Sequence, residues 1–408
     1  MRKEKYYNLI SIYCKCENLY LTIYYITIYL HLNMKLIITL SILGLIVTSC
    51  SIQDTCNVTG EISGLKNDTL IIFANDPVIN KSVCIDTIPV KDNKFSTNLP
   101  DSIILSIGIY EKSYGNGALR MSANEFFTLL PGEKLKIKGD INNLKAYGTE
   151  IYDELAKIES INEIKEKNIL LVTDFQKSIR NNNKEVADSL RKELAQNSKN
   201  LSLKKLEYIK NNPKSLASGF LYTSLMIEHI DEASRYLDKS VNNGPLSKLI
   251  DKTQDIYKTE MAKRKAKENI VPGKDAPDFL LKNLNNEDVT LASFRGKYAL
   301  LDFWGTWCGW CIKGIPEMKK YYAKYKNRME IVGICCGDTE EKWRNGVKEL
   351  DLPWTNLYNG IDKEITTNYA ISGYPTKVLI NPEGKIVEVF IGESEELYKK
   401  LDVLLIHE

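Results

Sequence analysis

The sequence predicts a multidomain chain that ends in an α/β domain, with an antiparallel β-sheet or sandwich domain near its start and a helical middle segment between them. Three observations predict it. Short β-type runs separated by Gly, Pro, Asn and Asp fill residues 50–148, and apolar residues recur at three- and four-residue steps through 149–269. Beyond the punctuation at Val271-Pro272-Gly273, strand and helix patterns alternate through 270–408. The 408 residues, 43% hydrophobic and 26% charged, are enough for roughly two or three domains. A formal net charge of +2 gives no support for nucleic-acid binding. Three histidines leave little material for a His-based metal site or Ser-His catalysis, and His229 reads as a helix residue without a catalytic role.

The amino terminus reads as a targeting segment. Residues 1–33 are Tyr-, Ile- and Asn-rich and read as an extension upstream of a start at Met34. Residues 34–49 have a short basic start at Lys35, an apolar stretch over 36–47 and small residues before Cys50, the layout of a secretory signal. Val47-Thr48-Ser49-Cys50 resembles the lipobox of bacterial lipoproteins. That resemblance implies cleavage before Cys50, lipidation of Cys50 and a membrane anchor on an envelope protein; an uncleaved anchor is the alternative. Ser51 does not resemble an inner-membrane retention signal, which points toward the outer membrane. Disulfides persist in that compartment.

In the β-rich region, runs at 58–62, 69–73, 83–87, 103–110, 125–130 and 134–138 read as strands, with a turn at Leu130-Pro131-Gly132-Glu133. Cys56 and Cys84 are open either to a disulfide or to burial as two small hydrophobes. In the helical region, Ile151, Leu155, Ile158, Ile161 and Ile164 keep helical spacing. Asn211-Asn212-Pro213 and Asn242-Asn243-Gly244-Pro245 break it, ahead of helices from about 215 and over 246–267. With Lys and Glu alternating on the outer faces, this region reads as a solvated helical spacer carrying one apolar stripe.

The chemistry concentrates at Trp307-Cys308-Gly309-Trp310-Cys311, which follows the apolar run from Tyr298 to Trp304 and opens a helical pattern. Cysteines three apart at a helix start share one face, and the first sits where backbone N–H groups and the helix dipole favour a thiolate. Such a pair can alternate between dithiol and disulfide, a redox centre that needs no bound cofactor. Zinc would need two further ligands; no second Cys-x-x-Cys or His cluster supplies them, so no metal is expected. Asp302, six residues before Cys308, is a lone carboxylate in an apolar strand, where burial raises its pKa and suits it to accept a proton from Cys311. Cys335 and Cys336 end another apolar run with alternating facing, one in the core and the other near the strand end.

From Pro272 onward the chain resembles the thioredoxin superfamily and, within it, the TlpA/ResA-like envelope oxidoreductases of the AhpC/TSA-Redoxin type. The residues that carry the resemblance are Gly273-Lys274-Asp275-Ala276-Pro277-Asp278-Phe279, Leu291-Ala292-Ser293-Phe294-Arg295-Gly296-Lys297, the run from Leu300 to Cys311, Tyr374-Pro375-Thr376, the hairpin turn Asn381-Pro382-Glu383-Gly384, and Gly392. The region from Cys56 to Gly148 resembles the β-rich domain of unknown function that precedes such modules in envelope lipoproteins. The resemblance implies a thioredoxin fold, a central mixed sheet flanked by helices. It implies that Cys308 is the exposed attacking thiolate, Cys311 the resolving cysteine and Asp302 the proton acceptor. It also implies a cis bond before Pro375, a kink at Pro316 in the first helix, and a substrate ledge formed by Tyr374, Pro375, Trp307, Gly309 and Trp310. The partners it implies are disulfide-containing envelope proteins and a membrane thiol electron donor, in some members for cytochrome c maturation.

Trp310 stands where general cytoplasmic reductants carry Pro. Thioredoxin-fold proteins span about 150 mV, roughly 7 kcal/mol for two electrons, so fold does not fix the direction of electron flow. Resemblance to reductive members favours reduction. Two other functions compete. A peroxiredoxin-like peroxidase would carry Thr and Pro where this chain has Gly305 and Leu301. A lipid-anchored binding module with a structural thioredoxin domain would have no use for the combined set Cys308, Cys311 and Pro375.

Overall fold

The computed structural model describes residues 56–112, 119–121 and 126–406. The extension at 1–33, the signal at 34–49 and Cys50 lie outside the described residues. Among the described residues, no helix is long and apolar enough to cross a membrane.

The β-rich region comprises β1 (Val58–Ser63), β2 (Thr69–Asp76), β3 (Lys81–Pro89), β4 (Lys94–Thr97), β5 (Leu105–Lys112), β6 (Leu119–Met121), β7 (Phe127–Leu129), β8 (Leu135–Asp140) and β9 (Asn143–Tyr147). They form two sheets, β4-β1-β8-β9 and β3-β2-β5-β6, with β7 also pairing β5. Pairing is antiparallel except between β1 and β8. Alternation makes the sandwich: Leu70, Ile72 and Ala74 of β2 and Leu135 and Ile137 of β8 point inward to one shared core with Val58 and Ile62, while the β8 lysines point out. Cys56 and Cys84 are half-buried thiols, and Cys84 packs against that core.

The middle region folds into α1 (Glu150–Leu155), α2 (Glu159–Arg180), α3 (Lys184–Asn211), α4 (Leu216–Tyr222), α5 (Ile227–Ser234), α6 (Lys239–Asn242) and α7 (Ser247–Lys267). Asn183 and Ser215 cap α3 and α4 by accepting N–H bonds from Val186 and Ala217. Pro213 lacks an N–H and bars its predecessor from helical geometry, so α3 stops at Asn211. The expectation of a spacer with one apolar stripe needs correction. Leu206, Ile209, Ala217, Leu221, Tyr222, Ile230, Ala233 and Ile250 form a packed core that also takes in Ile104 and Leu130 of the β-rich region, because the short helices α4 to α6 fold back across α3 and α7. His229 sits on α5 with Nδ1 2.7 Å from the hydroxyl of buried Ser202.

The last region comprises β10 (Leu280–Asn283), β11 (Asp288–Thr290), β12 (Tyr298–Trp304), α8 (Gly309–Tyr325), β13 (Met329–Cys336), α9 (Glu340–Glu349), β14 (Thr355–Gly360), α10 (Glu364–Asn368), β15 (Thr376–Ile380), β16 (Ile386–Ile391) and α11 (Glu395–Ile406). Its seven-stranded sheet runs β11-β10-β14-β13-β12-β15-β16. β12, β13 and β14 are mutually parallel; β15 runs antiparallel to β12 and β16, so the sheet is mixed. Both faces are buried, which explains the nearly unbroken apolar runs of β12 and β13. Leu300 and Trp304 of β12 face α8 and α11 with Ile315, Met318, Leu397 and Leu401. Ala299, Leu301 and Phe303 face the opposite core with Ile365 and Tyr369. The helical region reaches this domain through α7, whose Lys263 ammonium donates to the carbonyl of Ile371, just ahead of the loop at Tyr374.

Candidate active site

β12 delivers the chain to the head of α8 through the turn Gly305-Thr306-Trp307. Gly305 has no room for a side chain: a Cβ there would lie 2.5 Å from the Trp307 indole nitrogen and 2.9 Å from the Cys336 carbonyl. The turn is held from β13. Asp338, buried just past the strand, accepts from Thr306 N at 2.7 Å and from Thr306 Oγ1 at 2.9 Å, and the Trp307 indole donates to the Cys336 carbonyl at 3.0 Å.

Cys308 is the N-cap of α8 and is bridged to Cys311, with Cα atoms 5.3 Å apart. The backbone N–H of Cys311 donates to Cys308 Sγ at 3.2 Å, so the sulfur sits at the positive end of the helix dipole. The expectation of an exposed Cys308 needs correction for this bridged state. Cys308 is 5 % exposed and Cys311 3 %, both packed into the core beneath α8 with Trp304, Ile315 and Met318. The exposed groups are its neighbours. Trp310 is 65 % exposed, with the Lys313 ammonium 4.9 Å from its ring centroid, and Gly309 opens α8 with free space around its Cα. Pro316 lies inside α8.

The Tyr374–Pro375 bond is cis, and the Tyr374 ring meets the exposed Trp307 edge-on at 5.1 Å. Tyr374, Pro375, Trp307, Gly309 and Trp310 are thus set by two structural devices: the loop leading into β15 and the first turn of α8.

Asp302 is 5 % exposed. Alternation along β12 places it with Leu300 and Trp304 on the face covered by α8, the face that also holds Cys311. Burial pushes its pKa up, and the Lys377 ammonium pulls it back down. Here the expectation of a lone carboxylate needs correction. Asp302 pairs directly with Lys377 across β12 and β15, so the two side chains share a face. Lys377 is 1 % exposed; its Nζ lies 3.5 Å from Asp302 Oδ1 and 2.6 Å from Glu393 Oε1. At 3.5 Å the first contact is a long, mainly coulombic one, and Asp302 Oδ1 makes no hydrogen bond of normal geometry among the described residues.

Sequence reasoning missed Lys377, Glu393 and Asp338. Lys377 carried the same signal as Asp302, a single charge inside an apolar strand. Glu393 and Asp338 carried none, because each follows a strand end where polar residues are ordinary.

Cys335 and Cys336 do face opposite cores, but both are buried; Cys336 closes β13 beneath Tyr374 and Asn359 instead of fraying into solvent. Burial pushes the Cys336 thiol up to about 12 and raises the Cys335 thiol as well. Among the described residues no cluster of His, Cys, Asp and Glu is arranged to hold a metal ion.

Residues 272–389 match the AhpC/TSA family. The thiol-disulfide oxidoreductase ResA of Bacillus cereus is 39% identical over 129 residues, covering 31% of this chain and 74% of the relative. ResA of Bacillus subtilis is 37% identical over 131 residues, covering 32% of this chain and 73% of the relative. A solved thiol-disulfide oxidoreductase from Bacteroides fragilis is 33% identical and covers 32% of this chain and 100% of its own, with a TM-score of 0.31.

Proposed function

We propose that this chain, which belongs through its C-terminal domain to the AhpC/TSA family and is a thiol-disulfide oxidoreductase of the ResA type, reduces disulfides of envelope proteins through Cys308 and Cys311. One observation carries the reading. The bridged pair opens α8 at the helix N-terminus, and a buried carboxylate with a raised pKa lies on the sheet face beneath that helix.

The reaction runs in two exchanges. The Cys308 thiolate, stabilised at the N-terminus of α8, attacks one sulfur of the substrate disulfide. A Cys308–substrate bond forms, the substrate S–S bond breaks, and one substrate thiolate leaves. The Cys311 thiol then gives its proton to Asp302, and its thiolate attacks Cys308 Sγ. The Cys308–substrate bond breaks, the second substrate thiolate leaves and takes a proton from water, and the enzyme is left in the bridged state. Two electrons pass from enzyme to substrate. An external thiol donor must restore the dithiol; a membrane thiol donor fits the anchor expected at Cys50. The redox centre is the cysteine pair itself, without metal or bound cofactor. Trp307, Trp310, Tyr374 and Pro375 offer the apolar ledge on which an extended substrate chain lies beside the sulfurs.

A Cys311→Ser variant tests this reading, because it stops the reaction after the first exchange. It should accumulate mixed disulfides with envelope proteins that vanish in Cys308→Ser, while the parent reduces insulin with a dithiol donor. No trapped partner together with no insulin reduction would sink the reading. Fractionation and mass spectrometry of the mature N-terminus test the location: a lipidated Cys50 supports it, and an intact Met1 peptide contradicts it.

A further inference from the structure

We propose that Lys377 and Glu393 form the proton exit of Asp302, a route that rests on Asp302 being the acceptor for Cys311. The three groups stand in a line. Asp302 is buried; Lys377, almost fully buried, bridges at 3.5 Å and 2.6 Å to Asp302 and Glu393; the Glu393 side chain is 20 % exposed and reaches water. One ammonium between two carboxylates leaves a net charge of −1, so the trio has an open place for one proton. Asp302 Oδ1, buried and without a hydrogen bond of normal geometry, is the place nearest the interior.

Gly314 ties this line to the resolving cysteine. A Cβ at Gly314 would lie 2.3–2.4 Å from the carboxylate carbon and both oxygens of Glu393. The carboxylate therefore rests on the bare backbone of α8. Residues three apart share a helix face, so it rests one turn beyond Cys311 on the same face. A side chain at 314 would close the space, and the sequence leaves it open.

Other titratable groups lie around the line on neighbouring elements. Tyr398 of α11 lies near Glu393, Glu317 and Asp302, and its hydroxyl is held above its usual range by burial and those charges. Cys336 of β13 lies on the opposite face of the sheet and senses Asp302 only through its charge; burial pushes its thiol up to about 12. Both stay protonated at neutral pH, which leaves Glu393 as the member of the group that exchanges with solvent.

The transfer balances without any other reactant. Asp302 takes the Cys311 proton. With the 3.5 Å contact closed to hydrogen-bond distance, it passes that proton to Nζ of Lys377 as Nζ gives one to Glu393 Oε1, and Glu393 releases it to water. The trio returns to its starting charge, and no S–S bond is involved in this step.

Reaction of the reduced full chain with 5,5′-dithiobis(2-nitrobenzoate) separates the relevant steps. Attack by Cys308 releases one coloured thiolate, and resolution by Cys311 releases a second; a Cys308→Ser control subtracts the remaining cysteines. The expected result for Glu393→Gln, which keeps the shape and a contact to Lys377, is an unchanged first phase. Its second phase should be about tenfold slower at neutral pH, with an altered pH profile. Gly314→Ala, which displaces the carboxylate without removing it, should repeat the defect. Added acetate should restore resolution in Glu393→Ala, an effect a merely structural role would not give. A second phase in Glu393→Gln with the parental rate and pH profile, or failure of acetate to restore it in Glu393→Ala, overturns the exit. Asp302→Asn separates the two claims. If it too resolves at the parental rate, the acceptor assignment fails; if it is slow while Glu393→Gln is not, the exit alone fails.

Discussion

Lys377→Met removes the ammonium that sits between Asp302 and Glu393 and leaves two carboxylates facing each other beneath α8. Deleting one partner of a buried ion pair costs about 3–5 kcal/mol, because the other charge stays desolvated. Two features of the site set the lower end. Asp302 can relieve the charge by keeping its proton, and Glu393 is one-fifth exposed and rehydrates. A loss of about 3 kcal/mol, with a urea dependence near 2 kcal/mol/M, lowers the unfolding midpoint by roughly 1.5 M. The loss should also depend on pH. Without the ammonium, folded Asp302 holds a proton that the unfolded chain has released above the ordinary carboxylate range. The folded state then binds more protons, and stability falls as pH rises, so the deficit is larger at about pH 8 than at about pH 5. The assay is favourable: all five tryptophans, Trp304, Trp307, Trp310, Trp343 and Trp354, lie in this domain, so their emission reports its unfolding and not that of the β-rich or helical regions. Adding Asp302→Leu to Lys377→Met should recover most of the loss, since the only charge then left without its partner is Glu393, whose side chain is 20 % exposed and rehydrates. A single variant with the parental midpoint at both pH values would refute the reasoning.

Two further outcomes follow from the same geometry. Asp338→Ala strips two hydrogen bonds from Thr306; with a half-buried N–H left unpaired, it should cost about 1–3 kcal/mol in urea unfolding and slow insulin reduction by loosening the turn before Cys308. Parental rate and midpoint together would show that the turn does not depend on Asp338. In the reduced native protein, alkylation at about pH 8 should mark Cys308 while Cys335 and Cys336 stay unmodified until urea is added, because buried thiols with raised pKa supply almost no thiolate. Modification of Cys336 at the Cys308 rate, read by peptide mass mapping, would contradict the packing beneath Tyr374.

The sequence was most legible where a local rule decides the outcome. A cysteine pair at a helix start and an aspartate inside an apolar strand stand out within a few residues, as do helix stops such as Asn211 before Pro213. The cis Tyr374–Pro375 step, by contrast, was legible only through the family resemblance. What could not be read depends on partners far apart in the chain. The parallel pairing of β1 with β8 joins strands that share no turn signal, and β4, β6 and β9 are too short to stand out. Lys377 was readable in principle: strand alternation places it with Leu379, on the face of Leu300 and Trp304. Its register opposite Asp302 appears only once β12 and β15 are paired. Glu393 and Gly314 are ordinary alone and acquire meaning only against each other. The helical region looked like a spacer because α2, α3 and α7 are mostly polar; its core comes largely from the short helices between α3 and α7.

The central claim, a reductive dithiol at Cys308 and Cys311, is tested most directly by the equilibrium potential of that couple in the full chain, titrated against glutathione and, at the reducing end, dithiothreitol. The account predicts one two-electron transition, absent from Cys308→Ser, at a potential below about −200 mV. A couple near −120 mV, at the strongly oxidising end of about 150 mV of thioredoxin-fold range, would reverse the direction of electron flow, and no transition at all would contradict the exchange chemistry.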